Sequence, residues 1–230
     1  MVFGLGKSAA RRAYEKEWAN DEEAAPGWDA IDRRLEAILG DKKPDRHLAT
    51  DITQRVAFGG PEILDGISLY LLREPVDHWL IVTYGLSELY YAPESAGEEF
   101  SKYGFELTMR VLQQAGAPEE EPAWAVNVLR NLANYVHRYR KILDHGHRMS
   151  AGGPIRLGSD TALTAFVIVD DPKLGKIETP HGSVQFLEVV GITANEISAM
   201  QAEPSIDENL AQRFDPRYEL GITDLSRDES

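Results

Sequence analysis

The chain has 230 residues, of which 43% are hydrophobic, 27% are charged and none is cysteine, and its formal net charge is -14. This hydrophobic content is enough for a real core, and we expect one domain. The acidic balance argues against sequence-independent binding to nucleic-acid phosphates, and the lack of cysteine excludes disulfides, thiolate metal sites and a cysteine nucleophile.

The sequence predicts neither a signal peptide nor a membrane-spanning helix. Residues 1–6 are too short an apolar run for a signal peptide, and no later segment reaches the about 18 apolar residues of a membrane-spanning helix. We therefore expect a cytoplasmic protein with no membrane partner.

Residues 1–25 predict a peripheral N-terminal helix, residues 26–215 the compact domain, and residues 216–230 a polar tail.

An amphipathic helix is predicted after Pro26, and Gly40 is a typical residue for its C-terminal end. Its apolar positions are Trp28, Ile31, Leu35 and Ile38. Residues 67–72 then predict a strand, and the polar connection 73–77 leads straight into the next one, so the two should be neighbours in a sheet.

Residues 79–84 form a nearly continuous apolar run rich in β-branched and aromatic side chains. Such a run is typical of a strand covered on both faces, and we assign Trp79 and Tyr84 to the core. Gly85 then interrupts the run, and Ser87 and Glu88 place polar side chains just past the strand end. Strand ends of this kind often display binding groups.

Residues 103–111 alternate apolar and polar side chains, which predicts an antiparallel strand with one core face and one solvated face. A long helix follows Pro122, which suits a first helical turn. The residues expected on its buried side are Trp124, Val128, Leu132, Tyr135 and Tyr139.

Two more strands are predicted over residues 163–169 and 184–190, which gives a sheet of at least five strands. Thr193 and Glu196 fit a capping box, so a helix should start at Thr193. Ser205 begins a similar pattern for a final helix.

Catalytic patterns are weak. His145 and His147, at i and i+2, resemble part of a metal site, and His181 or His137 could supply a third imidazole. A histidine pair in a glycine-containing loop is more often hydrogen-bonded or solvated. Ser87 lacks the second glycine that a nucleophile elbow needs. We therefore predict no catalytic residue, no metal site and no cofactor.

Several segments match one family in order. They are residues 65–70, 78–90, 103–110 and 179–192, and they include the words Tyr-Gly-Leu-Ser-Glu-Leu-Tyr and Gly-Phe-Glu-Leu-Thr. On these words the chain resembles the suppressor of fused domain from about residue 26 to residue 202, as a stand-alone bacterial-type member. The resemblance implies an α+β fold, with a single domain in which helices flank a mixed, largely antiparallel β-sheet.

The resemblance also implies protein binding rather than catalysis. In animals the family protein holds Gli transcription factors between this domain and a second one, for which this chain has no room, so Gli binding is not expected. Tyr90 is the position best carried over, because it lies inside the matching word. With Ser87, Glu88 and Tyr91 it forms the predicted partner-binding edge.

For bacterial relatives the resemblance implies an immunity protein that neutralises a cognate toxin. An acidic inhibitor would suit the basic surface of a nuclease toxin. Two alternatives stay open at this point. One is a metal-dependent hydrolase that uses His145, His147 and His181, and the other is a scaffold domain that binds another copy of itself.

Overall fold

The computed structural model describes residues 3–18, 21, 23–49, 63–113, 122–202 and 220–228, with only the backbone for residues 3–8. The helices are α1 (Phe3–Trp18), α2 (Pro26–Leu39), α3 (Ala123–Tyr139) and α4 (Ala194–Ala202), with a single 3-10 turn at Pro93–Ser95. The strands are β1 (Arg46–Ala49), β2 (Gly66–Leu72), β3 (His78–Tyr84), β4 (Phe100–Leu112), β5 (Arg148–Ser150), β6 (Leu163–Asp170), β7 (Lys176–Thr179) and β8 (Gly182–Thr193).

The strands form one open, mixed sheet in the order β1-β2-β3-β4-β8-β6-β5, and β7 also pairs with β8. Neighbours are antiparallel except β4 and β8, which run parallel. Ile81 of β3 lies between Leu69 of β2 and Met109 of β4, so β3 occupies the interior of the sheet. The predicted α+β class with a largely antiparallel sheet is confirmed.

Helices cover both faces of the sheet, and this explains the apolar run of β3. On one face, Leu69, Ile81 and Met109 pack with residues of α3, among them Leu129. On the other face, Leu80, Val82 and Tyr84 pack with Ile31 and Leu35 of α2. All seven residues of β3 are buried, which confirms the assignment of Trp79 and Tyr84 to the core.

The solvated face predicted for residues 103–111 was wrong. Glu106, Thr108 and Arg110, the polar members of the alternation, are all buried. Alternation of polarity indicates that the two faces of a strand differ, and here the second face meets buried polar partners rather than water. β4 is antiparallel to β3, as predicted, but parallel to β8.

The buried side predicted for α3 was right for three residues and wrong for two. Trp124, Val128 and Leu132 are partly buried and pack against the core, and the residues that are fully buried are Ala125, Val126, Leu129, Ala133 and Val136. Tyr135 and Tyr139 are exposed, and their rings contact each other at 5.2 Å. The small alanines allow the helix to approach the sheet closely, while the tyrosines keep their hydroxyls near water.

The structure confirms the capping box before α4 and revises the C-terminal tail. Thr193 N–H donates to Glu196 Oε2 at 2.7 Å, and Glu196 N–H donates to Thr193 Oγ1 at 3.2 Å. Thr223 forms an isolated parallel β-bridge with Val111 of β4, and the side chains of Leu220 and Ile222 are buried. Part of the predicted polar tail therefore packs on the sheet. The helix predicted after Ser205 lies outside the described residues.

Within the described ranges, no helix is both long and apolar enough to cross a membrane.

Candidate functional site: the turn after β3 and the Tyr90 surface

The chain leaves β3 through a turn that requires glycine. Gly85 has φ +128°, a conformation that side-chain-bearing residues rarely adopt. A Cβ at this position would lie 2.8 Å from Asp65 N and 2.8 Å from Ile63 O. The positive φ and the close backbone together therefore exclude larger residues here.

A buried carboxylate holds this turn in place. Glu106 Oε1 accepts hydrogen bonds from Gly85 N–H at 2.9 Å, Ser87 N–H at 2.9 Å and the Ser87 hydroxyl at 2.7 Å. Glu106 Oε2 accepts from the Thr83 hydroxyl at 2.7 Å. Burial raises the pKa of Glu106, whereas these four donors lower it, and the raised pKa indicates that burial outweighs them.

The outer part of the turn is fixed from β4. Lys102 donates to the carbonyl of Gly85, and Glu88 N–H donates to the Ser101 hydroxyl at 2.9 Å. Tyr103 N–H donates to the Leu86 carbonyl at 3.0 Å. Since the side chain of Leu86 is also buried, the turn has little freedom to move.

The N-terminal elements close over the residues that follow the turn. Gly27 N–H donates to the Leu89 carbonyl at 3.0 Å, and Tyr91 N–H donates to the Ala24 carbonyl at 3.1 Å. A Cβ on Gly27 would lie 2.0 Å from the carbonyl oxygen of Glu88, so only glycine allows this approach. Residues 24–27 and 88–91 therefore form one packed unit.

A buried tyrosine and histidine complete this unit. His181 Nδ1 lies 3.1 Å from the Glu88 carbonyl, and because a carbonyl only accepts, Nδ1 carries the proton. His181 Nε2 then accepts from the Tyr14 hydroxyl at 2.8 Å, and the Tyr14 oxygen accepts from Ala92 N–H at 3.1 Å. Burial lowers the pKa of His181, in agreement with a neutral ring.

The structure divides the predicted partner-binding residues by exposure. Ser87 is only 2% exposed and its hydroxyl is bound to Glu106, which is a positioning role. Glu88 and Tyr91 are partly exposed, and the ring of Tyr91 stacks on Tyr14 at 5.3 Å. Tyr90 is 48% exposed and is therefore the member with most surface for a partner.

The histidines considered for a metal site have other partners. His145 Nδ1 accepts from Asp170 N–H at 3.1 Å, and His147 Nδ1 accepts from Asp144 N–H at 3.1 Å. Both ring nitrogens of His181 are used as described above. Among the residues that the structure describes, no group of three histidine, aspartate or glutamate side chains is arranged to hold a metal ion.

Sequence reasoning missed two buried polar clusters. One is Glu106 with its hydrogen-bond donors. The other joins Arg110 to Asp171, with Nη1 and Nη2 at 2.8 and 3.1 Å from the two carboxylate oxygens. Glu188 Oε1 lies 3.0 Å from the same Nη1. The signal that could have revealed this cluster is the presence of charged side chains, Arg110 and Glu188, within the otherwise apolar strands β4 and β8. A charge that is buried in such a strand needs a partner.

The fold and this surface together define a mixed α+β domain with a partly aromatic edge that backbone hydrogen bonds hold in place. A family model described as suppressor of fused protein matches residues 60–228. The chain belongs to the suppressor of fused family, which is a regulatory, protein-binding family.

Two relatives show the extent of the similarity. The suppressor of fused homologues of Homo sapiens and Mus musculus are each 30% identical to the chain over 183 residues. Each match covers 73% of this chain and 37% of the relative. The chain thus corresponds to well under half of the length of these relatives.

Solved structures share the fold. A chain of the Sufu-Fu complex has a TM-score of 0.78 at 24% identity, over 90% of this chain and 93% of that chain. Drosophila suppressor of fused gives 0.74 at 24% identity, over 90% of this chain and 51% of that chain. A suppressor of fused homologue from Neisseria gonorrhoeae gives 0.57 at 14% identity, over 88% and 96%.

Proposed function

We propose that this chain is a non-enzymatic protein-binding domain whose partner contacts the surface around Tyr90. The observation that carries the proposal is the half-exposed Tyr90 ring on a fixed backbone. Its neighbours Leu89 and Tyr91 are both hydrogen-bonded to the N-terminal segment. Tyrosine is enriched in binding hot spots, and a fixed backbone lowers the entropy lost on binding.

The charge of this region favours a basic partner. Glu94, Glu98 and Glu99, which follow Tyr90 in the chain, are exposed, and Glu88 is partly exposed. The net charge of -14 adds a long-range attraction for cationic proteins. We propose that the partner is a basic toxin domain and that this chain is its immunity protein, which acts in the cytoplasm and binds no nucleic acid itself. Family membership and the complex named Sufu-Fu support a protein partner in general.

Affinity capture with matched tyrosine variants tests the proposal. The tagged chain, the variant Tyr90→Ala and the control Tyr135→Ala are used as bait in extracts of the source cells. Tyr135 is 40% exposed, and it lies on α3. We expect the wild type and Tyr135→Ala to retain the same basic protein, and Tyr90→Ala to lose it. Expression of that protein alone should stop bacterial growth, and co-expression of the chain should restore it.

Different results separate the parts of the proposal. Equal capture by Tyr90→Ala would exclude the Tyr90 surface. A captured protein that does not inhibit growth would exclude the immunity role and leave protein binding in place. Light scattering after size-exclusion chromatography addresses the self-association alternative, because a dimer that Tyr90→Ala dissociates would identify a second copy as the partner.

A further inference from the structure

A pocket of about 330 Å³ lies between α2 and the β1–β2 end of the sheet. It is separate from the Tyr90 surface, since none of residues 85–91 lines it. Its lining includes Trp28, Asp32, Glu36, His47, Ser68 and Tyr84.

Aromatic rings make up much of the lining. Trp28 and Tyr84 stack with ring centroids 4.5 Å apart, and the His47 ring lies 5.5 Å from that of Trp28 and 6.0 Å from that of Tyr84. His47 Nδ1 lies 3.0 Å from the Ser68 hydroxyl. Burial lowers the pKa of His47, so its ring is neutral at neutral pH and adds no positive charge to the cluster.

A carboxylate stands at the mouth of this aromatic cluster. The Tyr84 hydroxyl donates to Asp32 Oδ1 at 2.9 Å, which fixes the carboxylate beside the rings. Desolvation raises the pKa of Asp32, although its side chain remains exposed to solvent. In the described ranges no lysine or arginine forms an ion pair with Asp32. Glu36, one helical turn further on, adds a second carboxylate to the lining.

Two lysines form another part of the rim. Lys42 is paired with Asp45, with Nζ 2.9 Å from Oδ2, so its charge is largely compensated. Lys43 is exposed to solvent, which screens it, and Asp32 and Glu36 are exposed as well. Asp32 differs from these groups in its position, because the Tyr84 hydroxyl holds it beside the aromatic rings.

We propose that this pocket binds an organic cation, an ammonium or guanidinium group that lies against the aromatic rings and faces Asp32. Aromatic rings attract such cations through their quadrupole, most strongly where water is partly excluded, and a fixed carboxylate adds a direct charge interaction. The volume accommodates a lysine or arginine side chain or a small quaternary amine. The same chemistry can come from a protein side chain or from a free metabolite.

Titration of the whole protein with three small probes tests the proposal. The probes are choline, its neutral isostere 3,3-dimethylbutan-1-ol, and lysine blocked at its α-amino and carboxyl groups. Binding is followed by NMR shifts of the Trp28 indole and by calorimetry. We expect saturable binding of at least one cation and an affinity for the neutral isostere lower by at least about threefold. Stronger binding of choline indicates a free metabolite, and stronger binding of blocked lysine indicates a protein side chain.

Matched variants complete the test. Asp32→Asn and Glu36→Gln should each weaken the cation, Asp32→Asn by at least about threefold, and should leave the isostere unchanged. Glu178→Gln, at an exposed position of β7 outside the pocket lining, should bind the cation as the wild type does. Circular dichroism verifies that each variant is folded. No saturable binding of either cation at millimolar concentration, equal binding of the isostere, or full affinity in both folded pocket variants would each overturn the proposal.

Discussion

Ser87 donates both its backbone N–H and its hydroxyl to one oxygen of Glu106, at 2.9 and 2.7 Å. This pair links the turn after β3 to the middle of β4, and both residues are buried. The surface that presents Tyr90 is therefore set by a carboxylate in the core.

Removal of the Glu106 carboxylate should strongly destabilise the protein. Glu106→Ala leaves the N–H groups of Gly85 and Ser87 without their acceptor, and each unpaired buried donor costs about 1–3 kcal/mol. Glu106→Gln retains one carbonyl oxygen for these donors and should cost less than Glu106→Ala. Urea unfolding measures both, and Glu178→Ala, at an exposed position of β7, is the control. Equal stability of Glu106→Ala and the control would contradict the role of this carboxylate.

Gly85 and Gly152 separate backbone strain from steric contact. Both have positive φ, +128° and +74°, but a Cβ at Gly85 meets the backbone at 2.8 Å, whereas a Cβ at Gly152 meets nothing within 4 Å. We expect Gly152→Ala to cost about 1 kcal/mol and Gly85→Ala at least about 1 kcal/mol more. Thermal and urea unfolding give both values. A smaller loss for Gly85→Ala than for Gly152→Ala would show that the turn adapts.

Tyr14 tests the attachment of α1 to the site. Tyr14→Phe keeps the ring and its stacking on Tyr91 but removes the hydroxyl that joins His181 to Ala92 N–H. We expect a loss of about 1–2 kcal/mol in the free energy of unfolding. Tyr135→Phe, at an exposed tyrosine of α3, should change stability by no more than about 0.5 kcal/mol. Similar values for the two variants would show that the Tyr14 hydroxyl contributes nothing.

The lowered pKa of His181 predicts that the protein loses stability in mild acid. Because the folded-state pKa is lowered, the unfolded chain binds a proton more readily, and the stabilisation is lost as pH falls from about 6.5 through the folded-state pKa. His181→Asn should show a shallower decrease than the wild type between pH 7.5 and 5.5. Urea unfolding at several pH values measures the two slopes. Because His47 and His78 also have lowered pKa values, the test is the difference between the slopes, and equal slopes would contradict it.

The raised pKa of Glu188 predicts a loss of stability in the opposite direction, as pH increases. Burial raises its pKa to about 8, and neither carboxylate oxygen accepts a well-directed hydrogen bond from the described residues. The folded state therefore holds a proton that the unfolded chain releases above about pH 4.3, so this group stabilises the fold less as pH rises toward 8. Glu188→Gln removes the titration, and its stability relative to the wild type should increase from pH 5 to 8. A constant difference across that range would show that Glu188 is ionised throughout.

Much of the architecture follows from local patterns. The apolar run of β3 indicated a strand covered on both faces, and the spacing of Thr193 and Glu196 indicated the start of α4. The family words identified the segment that contains Tyr90. These features could be predicted because the spacing of apolar residues, the capping of a helix and the burial of a strand depend on residues that are close together in the chain.

The errors arose where distant parts of the chain meet. Alternation in β4 could not indicate that Glu106 would accept donors from residues 83–87, or that Arg110 would find Asp171. The helical spacing of α3 predicted a buried face that ends in Tyr135 and Tyr139, whereas packing against the sheet buries the face with Ala125 and Ala133. In each case the deciding contact joins residues that are remote in sequence.

The sequence by itself determined the buried strand β3 and the position of the turn at Gly85, because these depend on local hydrophobicity and on the conformational range of glycine. The class of fold came from the resemblance to the family. Only the tertiary structure decided which residues of that turn reach the surface. Ser87 turns inward because Glu106 needs donors, and Tyr91 lies against Tyr14 because α1 packs over the turn. Tyr90 remains half-exposed because the N-terminal segment bonds to the backbone on both sides of it.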